Sequence, residues 1–127
     1  MRLRLEALPG RYAVARLPAD AAVPDWARGA VVSITRSDRE LSIVCADEAV
    51  PAGVTAERDF VGWRVAGTLD FALTGVLAQL TQPLADAQVS LFALSTFETD
   101  YVWVRARDGA AAVRAWSLAA VLVDELQ

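Results

Sequence analysis

The most restrictive feature of this sequence is an approximate internal repeat. Placing Thr35 on Ser95, a shift of 60 residues, aligns Ile34 with Leu94, Asp38 with Glu98, Glu40 with Asp100, Leu41 with Tyr101 and Val44 with Val104 without a gap. Both stretches are β-rich runs flanking a polar turn, so one hairpin plan is used twice. Upstream the match shortens: Tyr12 on Trp63 and Val14 on Val65 need a shift of 51, so the first copy lacks nine residues where the second has its best helical pattern. A chain of 127 residues built this way holds two small copies of a plan and no large catalytic domain.

Local patterns give each copy the same order of parts. In the first, Arg11–Leu17 alternates as a strand stopped by Pro18, Asp20–Arg28 has room for a turn or two of helix, and Ala30–Thr35 and Leu41–Cys45 form the hairpin. Residues 46–56, with Pro51 and Gly53, read as a link between halves, and Val54–Phe60 as a further strand. In the second copy, Trp63–Ala66 is a short strand and Thr74–Gln88 an amphipathic helix carrying Val76, Leu77, Leu80 and Leu84 at helical spacing. Thr74 is a candidate N-cap, and Pro83 predicts a kink or an early end. Val89–Leu94 and Tyr101–Arg105 form the second hairpin around 95–100, and the alanine-rich Gly109–Leu126 reads as a helix.

Strand, helix, strand, strand, helix, with right-handed crossovers, places both helices of a copy on one face of an antiparallel sheet. The expected class is therefore α+β: two ferredoxin-like repeats, residues 1–60 and 61–127, with Met1–Glu6 reaching across as the fourth strand of the second.

Composition narrows function. Hydrophobic residues make up 55% of the chain and mean hydropathy is +0.34, enough to bury a core. All 12 basic residues are arginine and face 16 carboxylates, a net charge of −4, which argues against sequence-independent nucleic-acid binding. Histidine is absent, which removes the commonest general base and metal ligand. The lone Cys45 can form neither an internal disulfide nor a metal knuckle, and reads as a small core residue. Asp47 and Glu48, adjacent acids without a third ligand, are weak grounds for a metal. Arg2, Arg4 and Glu6 are wrong for a signal peptide, and the most apolar stretch, Val61–Leu84, is broken by Arg64, Asp70 and Pro83, so no membrane span is expected. The expected location is cytoplasmic, with no catalytic residues, metal or cofactor.

Four stretches carry a family resemblance: Thr74-Gly75-Val76-Leu77-Ala78 continuing through Pro83-Leu84-Ala85-Asp86-Ala87 to Val89–Thr96; Leu8-Pro9-Gly10-Arg11-Tyr12-Ala13-Val14; Glu40-Leu41-Ser42-Ile43-Val44; and Ser95-Thr96-Phe97-Glu98-Thr99-Asp100-Tyr101. From about Leu3 to Trp116 the chain resembles the ACT-domain family, specifically the stand-alone bacterial tandem-ACT proteins related to the ligand-binding half of the eukaryotic CASTOR arginine sensors. The resemblance implies a small-molecule effector, most naturally an amino acid, bound without chemistry, with homodimer contacts or a separate regulated protein as partner. The alternative is a ligand-free interaction module that docks proteins through exposed sheet edges.

The candidate site follows from both lines of reasoning. Amides at the start of the helix, around Leu73, Thr74, Gly75 and Val76, suit an α-carboxylate, with Gly75 allowing close approach; the plainer alternative is that Thr74 caps the helix and Gly75 packs on the sheet. Across from them Thr96 offers a hydroxyl, Phe97 an apolar or cation-stacking face, and Asp100 a carboxylate for a ligand cation, roles that the CASTOR-like pattern implies. The alternative is an ordinary turn with Glu98, Thr99 and Asp100 solvated and Phe97 in the core. At a shift of 60 the first copy has Arg36 near the position of Thr96 and no glycine-led helix, so it is expected to supply a pocket wall or interface through Ser33, Thr35 and Asp38. Trp63, Trp103 and Trp116 read as packing, Trp26 as an interface residue, and Asp70 with Asp100 as the only acid/base pair worth weighing.

Overall fold

The computed structural model describes residues 2–70 and 72–124. Its backbone divides into two compact units, Gly10–Phe60 and a split unit made of Met1–Pro9 with Val61–Gln127. The boundary falls within a strand. The elements are β1 (Arg4–Ala7), β2 (Tyr12–Leu17), β3 (Ser33–Arg36), β4 (Leu41–Ala46), β5 (Ala56–Val65), α1 (Val76–Asp86), β6 (Leu91–Ser95), β7 (Asp100–Arg105), α2 (Gly109–Leu118) and β8 (Leu122–Val123). The fold class is α+β, as the sequence leads one to expect.

In the split unit the strand order is β6-β7-β5-β1-β8. β1 runs antiparallel to β5, Leu5 opposite Val65 and Ala7 opposite Trp63, and parallel to the two-residue β8. Alternation along the strands turns Leu3, Leu5, Trp63, Val65, Val102 and Val104 toward one face, where Val76, Leu80 and Leu84 of α1 and Ala112 and Trp116 of α2 cover them. Leu80 and Leu84 are fully buried, each worth about 1.5–3 kcal/mol of apolar transfer. The indole of Trp116 meets that of Trp63 edge to face at 4.9 Å and donates its Nε1–H to the Leu80 carbonyl at 2.9 Å, pinning α2 to α1.

The unit Gly10–Phe60 orders its strands β3-β4-β2-β5, all antiparallel. Its core is made of smaller side chains: Ala13, Ala15, Leu41, Ile43, Cys45 and Val50, with Leu17, Trp26 and Val54 packed against them. Trp26, which its proline-flanked loop offers as an interface residue, is partly buried and packs against this core. Residues 18–32 form turns where a helix was allowed, and no α-helix occurs among the described residues of this unit. Of residues 46–56, expected as a link, Ala56 opens β5 and the rest folds back within the unit: the Arg58 guanidinium donates to the Asp47 carboxylate and to the Val50 and Pro51 carbonyls at 3.0 Å.

Several boundaries differ from expectation for identifiable reasons. Val54–Phe60 and Trp63–Ala66 are one ten-residue strand, β5, because Gly62 does not interrupt it. A Cβ at Gly62 would lie 2.4 Å from the Trp103 ring, so this glycine marks a close approach and not a break. Helix α1 passes through Pro83 to Asp86 instead of ending early. Helix α2 stops at Leu118, not Leu126: Ala120 takes a left-handed φ of 64°, and the chain turns back so that Leu122 and Val123 pair with β1.

Candidate functional site

Both hairpins close with a four-residue loop, and their hydrogen bonds reveal the true correspondence between the copies. Ser37 N–H donates to the Glu40 carbonyl at 2.9 Å in one, and Thr96 N–H to the Thr99 carbonyl at 2.9 Å in the other. The strand partners Arg36–Leu41 and Ser95–Asp100 occupy the same step. The structural shift is therefore 59, not the 60 read from the sequence. A slip of one residue moves every side chain to the opposite face, so Ser37, and not Arg36, is the counterpart of Thr96. Arg36 is the counterpart of Ser95.

In the split unit this hairpin tip stands beside the start of α1. Gly75 occupies the N-cap with φ of 79°, a conformation that favours glycine, and no side chain caps the helix. Thr74 is thus not the cap. The first intrahelical bond is from Gln79 N–H to the Gly75 carbonyl at 3.0 Å, so the amides of Val76, Leu77 and Ala78 have no acceptor within the helix. Such amides carry the positive end of the helix dipole.

The hairpin tip is fixed by buried bonds. Thr99, expected to be a solvated turn residue, is buried and donates its hydroxyl to the Val65 carbonyl of β5 at 2.8 Å. Leu69 N–H donates to the Glu98 carbonyl at 2.8 Å, tying the segment before α1 to the tip. Asp70 folds that segment through an Asx turn, its Oδ1 accepting from Ala72 N–H at 2.9 Å.

Between these parts lies a cleft of about 250 Å³ lined by Leu69, Asp70, Leu73, Gly75, Val76 and Leu77 on one side and by residues 95–100 on the other. Six of the seven expected residues, Leu73, Gly75, Val76, Thr96, Phe97 and Asp100, line this one cleft; Thr74 is exposed and is not among its described lining residues. Phe97 is 88% exposed, so it is no core plug. The Thr96 hydroxyl is already engaged within the loop, donating to the Thr99 carbonyl at 3.1 Å. Asp100 is half-buried, and its Oδ1 accepts from Ser95 Oγ at 2.5 Å. Ser33, Thr35 and Asp38, expected as a wall, are not among the described lining residues.

Sequence reasoning missed Leu69, Leu77, Ser95 and Glu98 as lining residues and Thr99 as the anchor. Leu77 follows Leu73 by four residues, and Ser95 would have emerged as the partner of Asp100 had the four-residue loop been recognised. The cleft combines carboxylates of Asp70, Glu98 and Asp100 with helix amides, and no arginine is among its described lining residues. No cluster of three or more acidic or cysteine side chains placed to hold a metal occurs among the described residues.

The ACT-domain family model matches residues 55–116, from β5 through α2, and a model described as an N-terminal domain matches residues 10–53. A crystal structure of an Agobacterium tumefaciens protein is 34% identical, with a TM-score of 0.93, covering 100% of this chain and 95% of that one. The chain belongs to the ACT-domain family. The cleft lies wholly within the segment that the ACT-domain model matches. A Vibrio cholerae protein of unknown function, described as a possible transport protein, is 19% identical with a TM-score of 0.75, covering 93% of this chain and 90% of its own. The ligand-free regulatory subunit of aspartate kinase from Thermus thermophilus is 14% identical with a TM-score of 0.58, covering 87% of this chain and 93% of its own. These two share the ACT fold. A search of curated proteins finds no match. ACT domains are regulatory, ligand-binding modules, and no helix among the described residues of this one is long and apolar enough to cross a membrane.

Proposed function

We propose that this protein is a non-catalytic sensor that binds a free amino acid, or a close chemical relative, in the cleft and reports occupancy by a change in self-assembly or in contact with a separate protein. The observation that carries this reading is the pairing of opposite charge character across one small cleft. The amides of Val76 and Leu77, without an acceptor inside the helix, stand on one side together with Asp70, and the carboxylates of Glu98 and Asp100 on the other. A zwitterion matches both: its carboxylate meets the amides and its ammonium the acids.

Binding is favoured over catalysis because the acid/base pair is already engaged. Asp70 accepts from Ala72 N–H and Asp100 from Ser95 Oγ, which suits fixed acceptors better than groups that must gain and lose protons. A reducing compartment such as the cytoplasm suits the buried free thiol of Cys45. The second reading, protein docking through sheet edges, draws on β3 and β6, each paired on one side only among the described residues.

Thermal unfolding against the twenty amino acids, with oligomer size followed in the same samples, tests the proposal. A ligand at 100 times its Kd stabilises the fold by about 2.7 kcal/mol. Asp100→Ala is expected to abolish that stabilisation while leaving the ligand-free melting temperature within a few degrees. A panel without any stabilising amino acid, or an undiminished response in Asp100→Ala, favours docking instead.

A further inference from the structure

A surface helix ordinarily carries charged residues on the side away from its core. Here α1 has 11 residues and α2 has 10, yet Asp86 and Arg114 are the only charged side chains on either, less than half of what the chain's 22% charged fraction would place there. Leu118, at the end of α2, is 91% exposed, and Ala78, Ala85, Ala110 and Ala119 are exposed as well. Between the helices lies a groove of about 630 Å³ whose walls include Ala78, Gln82, Asp86, Ala115, Leu118 and Ala119. Its spacing is fixed from beneath, where Trp116 Nε1–H donates to the Leu80 carbonyl at 2.9 Å. Small side chains let a facing helix approach closely, and the shortage of charge lowers the cost of excluding water. From these observations we infer that the outward face of α1 and α2 is a surface on which two copies of this chain dock about a two-fold axis, Arg114 of each against Asp86 of the other, with Leu118 of each packed on the other's helices.

Charge identifies the occupant as a second copy. Arg114 precedes Leu118 by one helical turn, so both point the same way from α2; it is exposed and forms no salt bridge among the described residues. Asp86 is exposed too and accepts from a neutral group, Gln82 Nε2, at 2.8 Å. It sits at the C-terminal end of α1, where the helix dipole disfavours an acid and a facing guanidinium gains most. One acid and one base make this face its own electrostatic complement. When two identical faces meet, the two-fold axis lies in the interface; set as the perpendicular bisector of the line from Asp86 to Arg114, it brings each against the other's counterpart, twice over. A uniformly acidic or basic partner would satisfy one of the two and repel the other. Helices of this length offer a strip of roughly 16 by 20 Å, so two copies bury on the order of 1,000 Å² in total, the lower limit for a specific interface. Association is therefore reversible, with a Kd on the order of 10–100 µM.

Sedimentation velocity and circular dichroism of the full chain, without added amino acid, test this assembly. The wild type should pass from monomer to dimer as concentration rises. Leu118→Asp, which sets a charge against the partner's apolar surface, should remain monomeric at about ten times the wild-type Kd. Asp86→Arg or Arg114→Glu alone puts like charges face to face at both copies of the contact and should weaken dimerisation by about tenfold. The double variant, which exchanges the two charges, should return to within about threefold of the wild type. All three side chains are exposed, so every variant should keep the wild-type helical signal. A wild-type chain that stays monomeric at about ten times the expected Kd overturns the proposal and leaves this face to a different protein. A dimer that survives Leu118→Asp, or a double variant no better than the single ones, also overturns it and assigns assembly to another surface, such as a sheet edge. Neither result bears on the amino-acid reading, which the ligand panel decides separately.

Discussion

The two hairpins share a four-residue loop and the same loop bond, yet they differ in what adjoins them, and the hairpin at 95–100 borders the cleft. In the split unit, the residue before the loop is Ser95, a short side chain that bonds across the hairpin to Asp100. Its counterpart in the other unit is Arg36. That guanidinium donates from Nη1 to the Ala19 carbonyl and from Nη2 to the Ala21 carbonyl at 2.8 Å, bridging hairpin and preceding loop directly. Where one unit places a glycine-led helix and open space, the other places an arginine and a segment without a helix. The same plan thus becomes a pocket or a brace according to two local choices: whether the chain before the hairpin can form a helix, and how far the side chain ahead of the loop reaches.

The largest expected effect tests whether the helical layer sets the split unit apart energetically. Trp116→Ala removes a fully buried indole that packs on Trp63 and donates to Leu80, and should cost about 3–5 kcal/mol in urea unfolding. Ile43→Val, in the smaller core of the other unit, should cost about 0.5–1.5 kcal/mol. Comparable costs for the two would break the contrast. A smaller effect is expected for Arg36→Ser, which imposes the Ser95 arrangement on the other hairpin. Because the guanidinium and its carbonyl partners are solvated, the loss should be about 1 kcal/mol or less, read mainly as faster proteolysis within residues 18–32. Unchanged proteolysis would deny Arg36 its bracing role.

The smallest effect concerns Cys45. Burial pushes its thiol up, so the folded protein keeps the proton at a pH where the unfolded chain has lost it. Stability is then unaffected below the ordinary thiol value of about 8.5 and falls as pH rises above it, by at most about 1.4 kcal/mol per pH unit. Cys45→Ala should remove that slope; a slope that persists in the variant assigns it to other groups.

Much of the fold was legible because alternation is a direct consequence of strand geometry. Ala13 and Ala15, and Leu41, Ile43 and Cys45, sit on the buried face that their period-two spacing implies. The position of the cleft was legible too, since the glycine before α1 and the run from Ser95 to Asp100 are the parts that meet. What escaped depended on contacts between distant residues. Gly62 reads as an interruption until the Trp103 ring is seen to occupy the space of its missing side chain. Thr99 reads as a turn residue until its hydroxyl reaches Val65. The hairpin correspondence slipped by one because the similarity of Thr35 to Ser95 competed with that of Ser37 to Thr96, and only the loop hydrogen bonds decide between them. The end of α2 was hidden by alanines that favour a helix equally on either side of Leu118.

The pairing of β1 with β5 carries a consequence for how the protein is made. Leu3 and Leu5 are synthesised about sixty positions ahead of the residues opposite β1, from Trp63 to Val65, and further still ahead of those of β8. At roughly 5–20 residues per second, the nascent strand waits several seconds for its first neighbour, with its leucines uncovered. Residues 10–60, by contrast, have all their own pairing partners in hand by the time β5 is half synthesised. Translation therefore delivers residues 10–60 as a finished piece before β1 can be joined to both of its neighbours, and β1 is a segment that a nascent-chain chaperone has a long opportunity to hold.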